Sequence, residues 1–382
     1  MRSSAPCPGS SPCNDSHRPC SGTAMKITFI LPINAIGGGN RVIALYARKL
    51  TERGHEVHAV SQPFDARQGA GRRLRNGVKR LLGRPVQRPR PPARSPLLDF
   101  LGPRHRVLDR PGPPGPEDVP DADVIVATWW ETAEWVAALP PEKGRKFYLL
   151  QGYEVFPHLP AERVIATYSL PLKKIAVSDY IRAEIGTNHG VTGIEVVHNA
   201  VDLAQFDAPP RPRNRALTIG FLYSPAEVKR AWLALEALEA ARAQVPDLRA
   251  VLFGAHPLPQ PLPDWAHYEK SPEQSRIPEL YASCDVWLFT SDNEGFGLPI
   301  LEAMACRTPV LATAAGAAPQ LIDGTNGRIL PGEAAAFASA IAEFATMPDT
   351  EWQNWSNAAH RTAQSHSWDR AADQLLALLE RA

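Results

Sequence analysis

The sequence predicts an α/β protein of two domains, each built on a parallel sheet. Short runs rich in Val, Ile and Phe alternate with amphipathic stretches from residue 25 onward. The alternation breaks at Ala208-Pro209-Pro210-Arg211-Pro212-Arg213 and restarts near residue 217, as it would on either side of an interdomain linker. A length of 382 residues leaves room for two cores. Strand–helix–strand units require the two strands to run the same way, because the helix carries the chain back to the starting edge.

In chain order, residues 1–24 are rich in Ser, Pro and Cys and hold no apolar stretch of the kind a secretory signal needs. They are expected to be a disordered tail, with Met25 the natural start or the preceding tail dispensable. Cys7, Cys13 and Cys20 fit no zinc spacing, and Cys284 and Cys306 read as small buried residues. An odd number of cysteines in an α/β chain points to a reducing cytoplasm. A strand over 27–31 leads into Gly37-Gly38-Gly39 and an amphipathic helix over 40–53. Its apolar face is Val42, Ile43, Leu45, Tyr46 and Leu50, and Gly54 ends it before a strand over 56–60. Strands at 124–127, 147–150, 174–177 and 195–197, with helices over 132–139 and 179–185, complete a first domain at 25–207.

Residues 62–120 interrupt that order and read as an insertion. Between Ala66 and Leu98 stand Arg67, Arg72, Arg73, Arg75, Lys79, Arg80, Arg84, Arg88, Arg90 and Arg94, with no acidic residue among them. Two readings stay open: docking of 67–94 on an anionic membrane surface, or a solvated loop. After the linker at 208–214, a second domain at 215–367 is expected. Its strands lie at 217–222, 249–253, 286–289 and 309–312, and its helices at 231–244, 277–283 and 334–346. A terminal helix at 368–379 lies within a last segment, 368–382. Lys and Arg total 41 against 40 Asp and Glu, so whole-chain charge gives no sign of a nucleic-acid partner. No apolar run approaches the ~18 residues of a membrane-spanning helix.

The richest stretch for chemistry is Glu294-Gly295-Phe296-Gly297-Leu298-Pro299-Ile300-Leu301-Glu302. A buried strand at Asp285-Val286-Trp287-Leu288-Phe289 precedes it and a helix follows, so the run is a strand–loop–helix turn. Pro299 suits a first helical position, and the glycines let the backbone approach a ligand. Exposed N–H groups at the helix start favour an anion such as a diphosphate. A carboxylate on either side can accept from hydroxyl-rich groups beside that anion. A nucleotide-sugar presents all of these together.

This segment, followed in order by Glu302-Ala303-Met304-Ala305 and Thr308-Pro309-Val310, resembles the donor-binding signature of retaining family-four glycosyltransferases of the GT-B fold. The resemblance implies two Rossmann-like domains with parallel sheets facing across a cleft, and a terminal helix that packs back on the first. It implies transfer from a nucleotide-diphospho-sugar donor to a glycan or lipid-linked acceptor, with no metal and no cofactor. Glu294, Lys229 and Glu302 take the catalytic positions: Glu302 on ribose, Glu294 on the transferred sugar, Lys229 on the diphosphate. Gly295, Phe296, Gly297 and Leu298 hold the donor with them. Gly38 and Gly39 face it from the first domain; a dinucleotide site is the competing reading there, but Val42 stands where its last glycine belongs. Lys229 lies in Tyr223-Ser224-Pro225-Ala226-Glu227-Val228-Lys229-Arg230, where Arg230 replaces a usual glycine and is read as a second cation or a solvated helix start.

On the acceptor side stand Gln151, at the place of a usual histidine, and Glu154, a candidate base or a surface carboxylate. Trp129 and Trp130 are there to stack on sugar or fill the core. Gln151 donates and accepts hydrogen bonds but cannot shuttle a proton at neutral pH. Trp129-Trp130-Glu131-Thr132-Ala133, with Gln151-Gly152-Tyr153-Glu154, resembles a subgroup that builds rhamnose-containing surface polysaccharides. Val197-His198-Asn199-Ala200-Val201-Asp202 resembles the family's turn near the hinge, and Ser178 ends a strand facing the acceptor. Arg307 replaces another usual glycine. Asp121-Ala122-Asp123 precedes its strand and reads as a turn. The implied location is cytoplasmic, peripheral on the membrane face. The rival readings are a sugar-nucleotide epimerase and a non-catalytic sugar-nucleotide- or glycan-binding subunit.

Overall fold

Two all-parallel sheets carry the chain, and their central strands are apolar because helices cover both faces. The structure, a computed structural model, describes residues 23–33, 37–63 and 96–381. The tail up to residue 22, its three cysteines and the basic run 67–94 lie outside them. The first sheet contains β1 (Lys26–Leu31), β2 (Glu56–Ser61), β3 (His105–Val107), β4 (Val124–Ala127), β5 (Arg145–Leu150), β6 (Lys173–Ala176) and β7 (Glu195–Val196). Their order is β3-β2-β1-β4-β5-β6-β7. Every residue of β1 after Lys26 is buried, and Phe29 sits in register with Ala59 on one side and Val126 on the other. The helices are α1 (Gly38–Glu52), α2 (Trp130–Ala138), α3 (Ala161–Thr167) and α4 (Asp179–His189). Ser178 caps α4 by accepting from the Ile181 N–H at 3.3 Å, and Gly190 ends it at φ 66°.

The second sheet contains β8 (Thr218–Leu222), β9 (Arg249–Gly254), β10 (Ala266–Lys270), β11 (Val286–Phe289), β12 (Val310–Ala312) and β13 (Gly327–Ile329). It runs β10-β9-β8-β11-β12-β13. Its helices are α5 (Ala231–Arg242), α6 (Ile277–Ala282), α7 (Leu298–Ala305), α8 (Ala318–Leu321), α9 (Ala334–Thr346) and α10 (Asp349–Gln364). Two parallel α/β sheets of seven and six strands make the GT-B architecture expected from the sequence.

Residues 96–120 are not an insertion foreign to the first sheet. A 3-10 segment, Pro96–Arg104, leads into β3, which extends the sheet beyond β2. Leu98, Leu101, Leu108 and Val119 are buried beneath it. The last helix, α11 (Trp368–Arg381), returns to the first lobe. Trp368 meets Tyr46 edge to face at 5.3 Å. Lys49 of α1 and Arg53 just after it pair with Asp369 and Asp373.

The proline-rich connection is strapped down by its arginines. Arg211 donates to the carbonyl of Ala282 at 2.7 Å and to Asp285 at 3.0 Å, and lies 4.8 Å from the Trp352 ring. The Asp285 carboxylate is 0% exposed and also accepts from the N–H groups of Asn214 and Thr218. A buried carboxylate with these partners is costly to leave with fewer. Arg211→Ala is therefore expected to lower stability by about 1–3 kcal/mol, read as a lower urea midpoint; an unchanged midpoint would show the strap to be incidental.

Candidate functional site

In both sheets the strand order reverses beside the first strand, between β1 and β4 and between β8 and β11. Such reversals open a crevice at the carboxyl ends of the strands, where open α/β sheets bind ligands. The four loops that leave those strands carry the glycine run, Thr128-Trp129, Lys229 and the Glu294 bend.

Two of these loops are tied to each other. Thr290 Oγ1 donates to the carbonyls of Lys229 and Arg230 at 3.1 and 3.2 Å, and the Asp292 N–H donates to the Val228 carbonyl at 2.9 Å. Lys229 Nζ donates to Glu294 Oε1, which also accepts from Ser291 Oγ at 2.9 Å. Glu294 is thus held by a cation and a hydroxyl, its side chain 13% exposed. Gly297 takes φ 93° to start α7. Gly316, at φ 57°, lies so close that a Cβ there would come within 2.7 Å of the Phe296 carbonyl oxygen. That oxygen accepts from the Ala317 N–H at 2.8 Å, and the Phe296 side chain is buried. Among the described residues, the N–H groups of Gly295, Phe296, Gly297 and Leu298 have no acceptor.

Glu302 stands one turn into α7. Tyr281 donates to its Oε2 at 2.8 Å, and Arg41 Nη1 of the first lobe lies 3.9 Å from its Oε1. Burial raises the Glu302 pKa, while Tyr281 and Arg41 oppose the rise. Arg41 also donates to the Gln274 side-chain oxygen. Sequence reasoning missed Arg41 and Tyr281. The signal for Arg41 was its place directly after Gly37-Gly38-Gly39-Asn40, in the first turn of α1.

The bend also touches the first lobe. A Cβ on Gly295 would lie 1.8 Å from the Gln151 carbonyl oxygen, and Ser178 Oγ donates to the Gly295 carbonyl at 2.6 Å. Gln151 Nε2 donates to the Thr128 carbonyl at 3.2 Å, and its amide packs against Gly39. Gly38 and Gly39 lie in the first turn of α1 rather than in a loop before it. Gln151 and Ser178 therefore meet Gly295, and Gly39 lies against the Gln151 amide.

Of the other acceptor-side candidates, Glu154 needs correction, and Trp130 takes the core role expected of at least one tryptophan. Glu154 is neither cleft-facing nor a surface carboxylate: it is 0% exposed. Its Oε2 accepts from the Trp130 N–H at 2.8 Å and the Tyr148 hydroxyl at 3.0 Å, so it anchors the start of α2. Burial pushes its pKa up to about 8. Trp130 is core, with Arg163 5.0 Å from its ring. Trp129 is half-buried and packs on the first-lobe core.

Arg230 and Arg307 explain why glycine suits their positions: both have positive φ, 45° and 63°. Arg230 starts α5 and binds Asp292 at 2.6 Å and the Gly332 carbonyl at 2.6 Å. Arg307 joins Ala208 to Asn357. Asp123 accepts from the Lys26 N–H at 2.7 Å and Asp121 from Lys143 at 2.7 Å, which are structural uses of that turn. Among the described residues no helix is long and apolar enough to cross a membrane.

Comparison with known proteins puts these loops in a family context. The family described as Glycosyltransferase Family 4 matches residues 36–205, and the one described as Glycosyl transferases group 1 matches residues 213–346. The D-inositol 3-phosphate glycosyltransferase of Mycobacterium avium is 31% identical over 233 residues, covering 54% of this chain and 54% of its own length. That of Streptomyces coelicolor is 40% identical over 101 residues, covering 26% and 22%. The matches thus span about half or less of the curated relatives' length. Among solved structures, HepE of Anabaena in complex with UDP and glucose has a TM-score of 0.68 at 18% identity, covering 94% of this chain and 100% of the other. Sucrose-phosphate synthase of Thermosynechococcus elongatus reaches 0.70 at 17% identity, covering 93% and 98%. At such identities the likeness shows the shared fold.

The buried Glu154 carboxyl generates a pH prediction. Its folded pKa of about 8 lies above the ordinary carboxylate value, so it favours the folded state most at low pH. That contribution falls away as pH rises from the ordinary carboxylate range towards 8. Glu154→Gln keeps an oxygen for Trp130 and Tyr148 and cannot ionise. From pH 5 to pH 8 the urea midpoint of the wild type should fall relative to that of the variant; parallel pH dependence would contradict the assignment.

Proposed function

We propose that the chain, which matches the models described as Glycosyltransferase Family 4 over 36–205 and Glycosyl transferases group 1 over 213–346, moves a sugar from a nucleotide-diphospho-sugar to a hydroxyl acceptor with retention of anomeric configuration. The observation that carries this reading is the placement of four acceptor-free N–H groups between Lys229–Glu294 and Glu302. A diphosphate fits the N–H groups and the start of α7. Lys229 turns from Glu294 to a phosphate oxygen, which frees Glu294 to accept from hydroxyls of the transferred sugar. Glu302 accepts from ribose hydroxyls, as Arg41 now occupies its open side.

As the bond from the anomeric carbon to the diphosphate oxygen breaks, negative charge grows on the phosphate. Lys229 and the fixed N–H dipoles stabilise that charge more than the ground state. The acceptor oxygen bonds the anomeric carbon on the same face, and its proton passes to a phosphate oxygen, so no side-chain nucleophile is needed. This scheme uses no metal ion. Closure of the first lobe over Gly295 excludes water.

The solved relative bound to UDP and glucose makes a UDP-sugar the first donor to test. For the acceptor, the Trp129-Trp130-Glu131-Thr132-Ala133 element supports a lipid-linked or glycan chain of a rhamnose-containing surface polysaccharide, made at the cytoplasmic membrane face. The curated relatives' names add D-inositol 3-phosphate to the panel. An epimerase needs an acid–base pair at the reacting carbon, and the carboxyl of Glu154 is committed to the core.

Lys229→Ala should lower kcat by about 10²–10³-fold, and Glu302→Ala should lose most kcat/KM with the fold intact by circular dichroism. Turnover of a UDP-sugar and acceptor panel measures both. Wild-type turnover in either variant would remove the site assignment, and inversion at the anomeric carbon by NMR would remove the mechanism.

A further inference from the structure

The chain passes between the lobes twice, and a second polar cavity lies where the two crossings meet. The outward crossing carries His198, Asn199 and Val201. The return is Ser365–Ser367, and the Val201 N–H donates to the His366 carbonyl at 3.1 Å. Between these segments and α11 is a cleft of about 270 Å³ lined by His198, Asn199, His366, Ser367, Arg370 and Gln374, among others. No carboxylate lines it. Asp179 stands behind it, hydrogen-bonded to His198 Nε2 at 2.8 Å.

Its polar groups are incompletely used. Asn199 is 4% exposed, yet its Oδ1 is buried with no hydrogen-bond partner. A buried amide oxygen left so is unfavourable unless something donates to it. Arg370 has no carboxylate partner among the described residues, whereas its neighbour Asp369 is taken by Lys49 and Arg53. His366 donates its Nδ1–H to the Thr362 carbonyl at 2.9 Å, which leaves Nε2 as an acceptor. Burial lowers the His366 pKa, and the positive fields of His198 and Arg370 lower it further. The cleft therefore offers a cation, a hydroxyl and an amide to an anion, and an imidazole nitrogen to an O–H donor.

We infer that this hinge cleft is a binding site for a small phosphate-class oxyanion that also carries an O–H, either hydrogen phosphate or the phosphate ester of a small polyol. The anionic oxygens accept from Arg370, the Ser367 hydroxyl and the Gln374 amide, and the O–H donates to His366 Nε2. Its occupant touches both crossings and α11 at once, so binding ties the hinge together. The site is separate from Lys229 and the Glu294 bend.

The test is a thermal-shift titration of the full chain with inorganic phosphate, and in parallel with glycerol phosphate, against sodium chloride of equal ionic strength. The expected result is a saturable rise in melting midpoint. It should be retained in Lys229→Ala and weakened about tenfold or more in Arg370→Gln. Arg370 and Gln374 are exposed, so folding should not depend on them. Gln374→Glu, which places a negative charge at the cleft, should weaken it too. A stronger response to glycerol phosphate identifies the ester as the occupant, and a response to inorganic phosphate alone identifies the free ion. No shift with either probe, loss of the shift in Lys229→Ala, or equal shifts in wild type, Arg370→Gln and Gln374→Glu would overturn the proposal.

Discussion

Everything at the centre of this molecule depends on how closely the Glu294 bend lies against the first lobe at Gly295. With a Cβ there only 1.8 Å from the Gln151 carbonyl oxygen, no other residue fits without moving a lobe. That approach lets Ser178 reach the Gly295 carbonyl and Arg41 approach Glu302. Gly316 imposes a similar limit from the second lobe, where it leaves room for Phe296 and for the Ala317 N–H to hold the Phe296 carbonyl. The bend is therefore positioned from both sides by backbone, and its N–H groups keep their orientation without a side chain to hold them.

The charges around the bend are already paired. Lys229 rests on Glu294, and Arg41 approaches Glu302. On the proposed reading, the donor exchanges these contacts for equivalent ones: phosphate takes Lys229, sugar hydroxyls take Glu294, and ribose takes Glu302. Such an exchange spares the protein from holding unpaired charge in a partly buried crevice before the donor arrives. It also makes the lobe contact at Arg41 responsive to the donor, because both use the same carboxylate.

Much of the architecture was legible because its central strands are continuous apolar runs. β1, β8 and β11 are of this kind, and Ala208-Pro209-Pro210-Arg211-Pro212-Arg213 marks the break between the two sheets. The edges were not legible. β10 is Ala266-His267-Tyr268-Glu269-Lys270, which pairs on one side only and needs no apolar run. β3 is three residues long, and the 3-10 segment before it hides in a proline-rich context. α10 buries Trp352, Ser356, Ala359 and Ala363, a stripe of mostly small residues with little hydrophobic signal. In the site, Lys229, Glu294 and Glu302 stood out through motif order. Arg41 is one of 41 Lys and Arg residues, and only the fold brings it to Glu302. Glu154 was misread because a glutamate in a loop suggests solvent, whereas Tyr148 and the start of α2 enclose it.

The central claim is that the bend grips an activated donor through its diphosphate. Calorimetric titration of UDP and GDP, each beside its parent nucleoside, isolates that grip most directly. The account predicts that the preferred diphosphate binds far more tightly than its nucleoside, and that Lys229→Ala removes most of the difference. Equal affinities for diphosphate and nucleoside, or a difference indifferent to Lys229, would contradict it.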